Sequence, residues 1–304
     1  MEQHFPLKIF QTPLDLRTLT SMQRGGIVNP LQITILAEII KEDVEHGFAL
    51  PLPLSVLHCI PKASLAPLGC VKQSTLDSSG RRTIKHRMTH DQSFPGPSGL
   101  SVNLQVLHQD LPPIMYSFVL LRSIHYILDI RQRHPNTRVY ICKFNIDAAY
   151  CRCSFSSSTA FESLTIFAGL LLVALRMTFG GAPCPSIWSV ISETITDIVN
   201  SLLQNDFWNH NNLYDPISDE LDTPLALPAS VPFHQVKELS VSIAPNDKGK
   251  IDIYIDDSIG IAPDIANAPV RVTRAIPLAI RTLSRTNSEL EVIPRRDIIS
   301  IKKL

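Results

Sequence analysis

Residues 251–261 read IDIYIDDSIGI, an apolar, β-branched run broken at its centre by two adjacent acids, Asp256 and Asp257. Strand side chains alternate between faces, so Ile253, Ile255 and Asp257 are expected on one side and Tyr254, Asp256 and Ser258 on the other. One acid is thereby presented beside Tyr254, at a tight turn between two hydrophobic strand segments. Carboxylates in that setting cost free energy unless a metal, a cation or water satisfies them. A divalent ion suits the pair, because Mg²⁺ takes one or two carboxylates and leaves coordination positions for substrate phosphates.

The rest of the composition narrows the class. The chain has 304 residues, 44% of them hydrophobic, with a formal net charge of +0. That length supports one large or two modest domains with a real core, and the hydrophobic fraction excludes a disordered chain. No global basicity announces a nucleic-acid partner, although a local basic groove is compatible with a neutral total. The six cysteines, Cys59, Cys70, Cys142, Cys151, Cys153 and Cys184, show no zinc spacing and are expected as reduced thiols. The start, MEQHFPLKIFQTPLD, has no signal-peptide core. The longest apolar stretch, 164–175, is too short to span a bilayer. An intracellular protein, cytoplasmic or nuclear and without a membrane partner, is the expectation.

Along the chain, Asn29 and Pro30 open an amphipathic helix that is expected to end at Gly47. A proline-punctuated segment leads to the polar stretch 74–98, where DSSG at 77–80 predicts a turn. Arg81, Arg82, Lys85 and Arg87 form the one dense basic patch, on what is expected to be a mobile hairpin. After Pro113, helical spacing runs to His134, and TRVYICKFNI at 137–146 predicts a strand. Residues 171–179 are a further strand candidate, entering the turn GGAPCP at 180–185, and a helix is expected over 186–203. A polar surface insertion is expected at 205–235 and a last helix at 264–283. The end at 302–304 brings no closing element, from which a fragment or a truncated reading frame is expected.

Alone, Tyr-x-Asp-Asp is short and reads first as a solvated turn. Its company changes that reading. Upstream lies FNIDAAYCRC, a predicted strand ending at Ala149 and Tyr150, and between the two lies FGGAPCP before a helix. A strand with Ala-Tyr, then a Phe-Gly turn with proline and helix, then a Tyr-x-Asp-Asp hairpin resembles the palm of reverse transcriptases, particularly those of retroelements. RMTHD, from Arg87 to Asp91, resembles the same family's fingers strand, and the likeness covers 67–303.

The resemblance implies an α/β (α+β) right-hand polymerase: an N-terminal helical extension at 1–66, fingers and a connecting helix at 67–135, and a palm with an antiparallel sheet packed on helices at 136–304. It implies RNA-directed DNA synthesis by two-metal nucleotidyl transfer. The cofactor would be two Mg²⁺ ions, with Mn²⁺ as the alternative, and the partners an RNA or DNA template with primer and deoxynucleoside triphosphates. Asp256, as principal ligand, and Asp257 map onto the family's hairpin acids. Ala149 and Tyr150 map onto the nucleotide pocket, Tyr150 as the steric gate against a 2′-hydroxyl. Phe179 and Gly180 map onto the turn beneath the incoming base and sugar, and Arg87, with Arg82 or Lys85, onto the cations that grip the triphosphate.

One position departs from the family. Its first catalytic aspartate stands five residues before the gate aromatic, and here that residue is Asn145. An amide offers one neutral carbonyl in place of two anionic oxygens, so weakened metal loading and impaired synthesis are expected. Asp147, on the same strand face, is displaced by about 6 to 7 Å at strand rise and is not expected to substitute. The family's thumb and RNase H are not recognised in the sequence. The alternative function is a catalytically dead domain that binds RNA or template–primer as a retroelement relic. A nuclease or other two-metal enzyme using Asp256 and Asp257 is a third reading, without the further acids that such a site needs.

Other residues have plainer explanations. His86 and His90 are expected as exposed polar residues on a strand, and Cys151 and Cys153 as core or rim positions. Glu193 and Asp197, four apart, are expected on a helix's solvent face. Trp188 and Phe179 suit base stacking and core packing equally.

Overall fold

The apolar run that carries the acids folds back on itself as a tight hairpin at one end of an antiparallel sheet. In a computed structural model of the chain, the described residues are 30–61, 63–76, 81–95, 99–114, 116–212, 225–227, 244–283 and 299–301. In chain order the elements are α1 (Pro30–Glu45), β1 (Ala49–Pro53), β2 (Leu68–Leu76), β3 (Arg82–His90), α2 (Val119–Arg133), β4 (Val139–Ile146), α3 (Ser157–Phe161), β5 (Leu164–Phe167), β6 (Leu170–Ala174), α4 (Cys184–Gln204), β7 (Leu225–Leu227), β8 (Lys250–Tyr254), β9 (Asp257–Pro263), α5 (Ala268–Leu283) and β10 (Ile299–Ile301). The fold is mixed α/β, with antiparallel sheets packed on helices. It divides into two compact units, one from 1–77, 82–106 and 150–182, the other from 78–81, 107–149 and 183–304.

The first unit holds two sheets, β1-β6-β5 and the β2-β3 hairpin. The apolar stripe of α1 buries Leu36 and Ile40 against Leu68, Phe167 and Leu172. A second cluster joins Leu164, Leu171 and Val173 with Ala160 of α3. The strand expected at 171–179 is instead the second arm of a short hairpin and ends at Ala174. Its turn residues Ala168 and Gly169 both have positive φ, 53° and 76°, the backbone that two-residue hairpin loops require. The turn expected at 77–80 lies outside the described residues, as does Asn29; the strands on either side of 77–80 pair from Leu68↔His90 to Leu76↔Arg82.

The second unit is built on the order β10-β4-β9-β8, with β7 also on β4. Both faces of this sheet are covered. Tyr126 and Ile130 of α2 pack on Val139 and Ile261. On the other face Gly260 lets α5 approach: a Cβ there would stand 2.5 Å from Val272 and 3.1 Å from Ile276. The helix expected from residue 264 starts at Ala268, because Ala266 and Asn267 take positive φ of 47° and 64°. Within the expected surface insertion, 225–227 is an edge strand on 139–141. β4 ends at Ile146, so Asp147 is in an exposed turn, and Ala149 and Tyr150 lie on a 3₁₀ turn rather than on the strand.

Candidate functional site

Sheet register assembles the acid cluster in the second unit. Asn145 on β4 lies directly opposite Asp257 on β9, and Tyr254 lies opposite Asp257 across the hairpin. The two turn residues are Ile255 and Asp256, so the alternation expected through them is broken: Asp257, not Asp256, is Tyr254's cross-strand neighbour. Ile255 has φ of 56°, a left-handed conformation that a β-branched residue holds only under constraint. Two hydrogen bonds supply that constraint. The buried indole of Trp188 donates from Nε1 to the Ile255 carbonyl at 2.6 Å, and the Ile146 N–H donates to the Asp256 carbonyl at 2.8 Å. Trp188 is buried in the core, as the packing expectation has it, and in addition fastens the turn.

Asn145, 6% exposed, reaches both acids. Its Nδ2 donates to Asp256 Oδ2 at 2.9 Å and to Asp257 Oδ1 at 3.0 Å. The other oxygen of Asp257 is taken by Lys143, whose Nζ stands 2.6 Å from Oδ2. Lys143 precedes Asn145 by two on the same strand, hence on the same face, and lies diagonal to Asp257 across the ladder. Among the described residues, Asp256 has no ion-pair partner. Beside the turn, Tyr116 and Tyr254 meet with ring centroids 5.9 Å apart. Burial pushes the Tyr116 phenol up to about 12, against a lowering hydrogen bond from Ser192, with Glu193 and Asp256 adding to the rise.

The cluster contains two carboxylates, one amide and one ammonium, and among the described residues no group of three His, Cys, Asp or Glu is placed to hold a metal. Asp256 and Asp257 are the anionic ligands that a divalent ion would use, but the Lys143 ammonium already sits on Asp257, and the neutral Asn145 adds no third carboxylate for a two-ion site.

The first unit gathers the other candidates. Tyr150, 6% exposed, meets Phe179 with ring centroids 5.1 Å apart, and the Arg87 guanidinium lies 5.5 Å from the Phe179 ring centre. Gly180 has φ of 118°, and a Cβ there would lie 1.9 Å from the His90 carbonyl oxygen, so only glycine allows this approach. The His90 N–H donates to the Phe179 carbonyl at 3.0 Å. Two amides that the sequence reading did not single out hold this loop. Asn103 donates to the Gly180 carbonyl at 2.9 Å and accepts from the Ala182 N–H at 2.8 Å; Gln92 donates to Thr178 Oγ1 at 3.1 Å.

The basic candidates on β3 separate by alternation. Lys85 and Arg87 share one face; Arg82 is on the other, about 16 Å along the strand from Arg87. Arg82 and Lys85 are exposed, and Ala149 is buried at the end of the second unit's segment. His90 is buried, not exposed as expected, and burial lowers its imidazole to about 4. Cys151 lies within the 3₁₀ turn and Cys153 just after it, rather than on strand positions. Glu193 is half-buried, and that burial raises its carboxyl, whereas Asp197 faces solvent. No described helix is long and apolar enough to cross a membrane.

Comparison of the sequence with protein-family models and with curated proteins finds no match to either. Among solved structures, the chain is similar to a foamy viral protease–reverse transcriptase in complex with double-stranded DNA, with 11% sequence identity and a TM-score of 0.42. The match covers 80% of this chain and 29% of that chain.

Proposed function

We propose that this chain carries the palm and fingers of a retroelement reverse transcriptase, organised for RNA-directed DNA synthesis and impaired in this copy at Asn145. The observation that supports the reading most directly is the register Asn145↔Asp257, with Asp256 also within hydrogen-bonding reach of the Asn145 amide. In this reading Asn145 stands where a third carboxylate belongs. Asp256 and Asp257 hold Mg²⁺ or Mn²⁺, and the Asn145 N–H groups, which donate to those acids, occupy lone pairs that metal ions would use. Metal bound there would supply the charge that activates a primer 3′-hydroxyl and neutralises the triphosphate, and the second ion of two-metal transfer would lack a carboxylate while Asn145 stands at its place. Ala149 and Tyr150 are assigned the family's role of excluding a 2′-hydroxyl, which would favour deoxynucleotides. Phe179 and Gly180 form the floor of the base site, and Arg87 with Lys85 receives the triphosphate, with Arg82 as the weaker candidate because it projects from the opposite face.

The partners are an RNA or DNA template with its primer and deoxynucleoside triphosphates. The second reading, a silent domain that binds template–primer without extending it, is favoured by the Lys143–Asp257 ion pair, which leaves the acid cluster with less charge to offer a metal. Primer extension on poly(rA)·oligo(dT) with Mg²⁺ separates the two. Asn145→Asp is expected to extend at least about ten-fold faster than the unaltered chain. Robust synthesis by the unaltered chain would remove the impairment from the reading. Failure of both proteins to extend, while both bind template–primer, would leave the silent domain; failure to bind would remove both readings.

A further inference from the structure

We infer that Lys143 is a built-in counter-cation for the acid pair, which keeps divalent ions off Asp257 and forms a barrier to metal loading separate from Asn145. The inference rests on the proposed function only in treating Asp256 and Asp257 as the metal-holding pair. Among the described residues, Lys143 and Asp257 are the one ion pair in the cluster, 2.6 Å apart, with side chains only 22% and 25% exposed. Water therefore screens the contact less than it would a surface pair. Asp257 has both oxygens engaged, one by this ammonium and one by the Asn145 amide. A divalent ion on Asp257 would face the ammonium at short range, and like charges that close oppose each other.

Lys143 cannot be treated as an incidental neighbour. β4 is paired on β9 from Val139 to Asn145, so the backbone holds the Lys143 stem on the face that presents Asn145 and Asp257. Two consequences follow for metal binding. Restoring a carboxylate at 145 adds a ligand but leaves the competing cation in place. Removing the ammonium alone frees one oxygen of Asp257 and lets the existing pair take a single ion.

The test uses the full chain and Mn²⁺ as the probe, with free Mn²⁺ read by its electron paramagnetic resonance signal at neutral pH. Binding that disappears in an Asp256→Asn/Asp257→Asn protein defines the acid-pair site. Lys143→Met is expected to tighten Mn²⁺ at that site by about ten-fold or more, and Lys143→Arg, which keeps the charge, to leave it unchanged. In an Asn145→Asp background, adding Lys143→Gln is expected to tighten Mn²⁺ by a further ten-fold or so. The second background keeps the test decisive if Lys143→Met fails to fold cooperatively. Equal Mn²⁺ affinity with and without the ammonium in both backgrounds would overturn the inference. So would Lys143→Arg tightening as much as Lys143→Met. If the doubly altered protein binds Mn²⁺ tightly yet extends no primer, the polymerase reading falls and the role of Lys143 stands. If Asn145→Asp extends primers while Lys143 has no effect on Mn²⁺, the reverse holds.

Discussion

The β2–β3 hairpin and the β8–β9 hairpin are both antiparallel ladders that carry charged candidate residues, but they treat charge differently. On β3, Arg82, Thr83, Ile84 and Lys85 are all exposed, so the cations there are met by water. On β8 and β9, Ile251, Asp252, Ile253 and Ser258 are buried, and the acids are met by protein. Asp252 takes a two-pronged contact from Arg122, at 2.5 and 2.6 Å, and Asp257 takes Lys143. A solvated charge costs the fold little when changed, whereas a charge neutralised inside the protein leaves its partner stranded. Function and stability should therefore separate on the first hairpin and be entangled on the second.

The strongest test of that contrast is Asp252→Ala, which strands the Arg122 guanidinium. A loss of about 3–5 kcal/mol is expected in urea denaturation; a loss under about 1 kcal/mol would show that the buried hairpin tolerates charge removal as the exposed one does.

The next effect comes from the buried end of the exposed hairpin. Burial lowers His90 to about 4 from 6.5, so between those values the unfolded chain binds the proton more readily than the folded one. Stability is then complete above pH 6.5 and is lost as pH falls toward 4, by roughly 3 kcal/mol in all. Asp43 on α1 has the opposite sign, because burial, outweighing a lowering by His46, raises it to about 6 from 3.8 and favours the folded state on the acid side. In an Asp43→Asn background, denaturation across this window should show a rise with pH that His90→Gln abolishes. A flat profile before that second change would contradict the burial argument.

A smaller effect is expected at the strained turn. Trp188→Phe keeps an aromatic ring but removes the N–H that caps Ile255 along with part of the indole's volume, and should cost at least about 1–3 kcal/mol. An unchanged midpoint would mean that the turn holds its shape without the indole. Smallest of all, Arg82→Ala and Lys85→Ala should each shift stability by no more than about 0.5 kcal/mol. If Lys85→Ala weakens triphosphate binding and Arg82→Ala does not, the strand-face assignment is sharpened; the opposite outcome would break it.

Much of the local architecture was legible because it depends on short-range pattern. Apolar spacing marked α2 and α4, and β-branched runs marked β4 and the β8–β9 segment. Boundaries failed where single backbone conformations decided them. Ala168 and Ala266 adopt positive φ without being glycine, so residue type signalled the β5–β6 turn only through Gly169 and the late start of α5 only through Asn267. The acid pair and Asn145 were visible as a spacing pattern. Lys143 carried a usable signal, two residues before Asn145 and therefore on its face, but its partner lies 114 positions later in the numbering, from 143 to 257. Asn103 and Gln92 had no such signal, since an isolated amide reads alike whether it faces solvent or fastens a loop.

By itself, then, the order of residues determined which segments could be strands and helices, that two acids sit at a hairpin tip, and that position 145 carries an amide. These follow from interactions within a few residues of one another. Only the tertiary structure decided what those acids touch. Register set Asn145 opposite Asp257 and brought the Lys143 ammonium onto the same carboxylate, because strand pairing fixes distances between groups that the chain itself leaves unrelated.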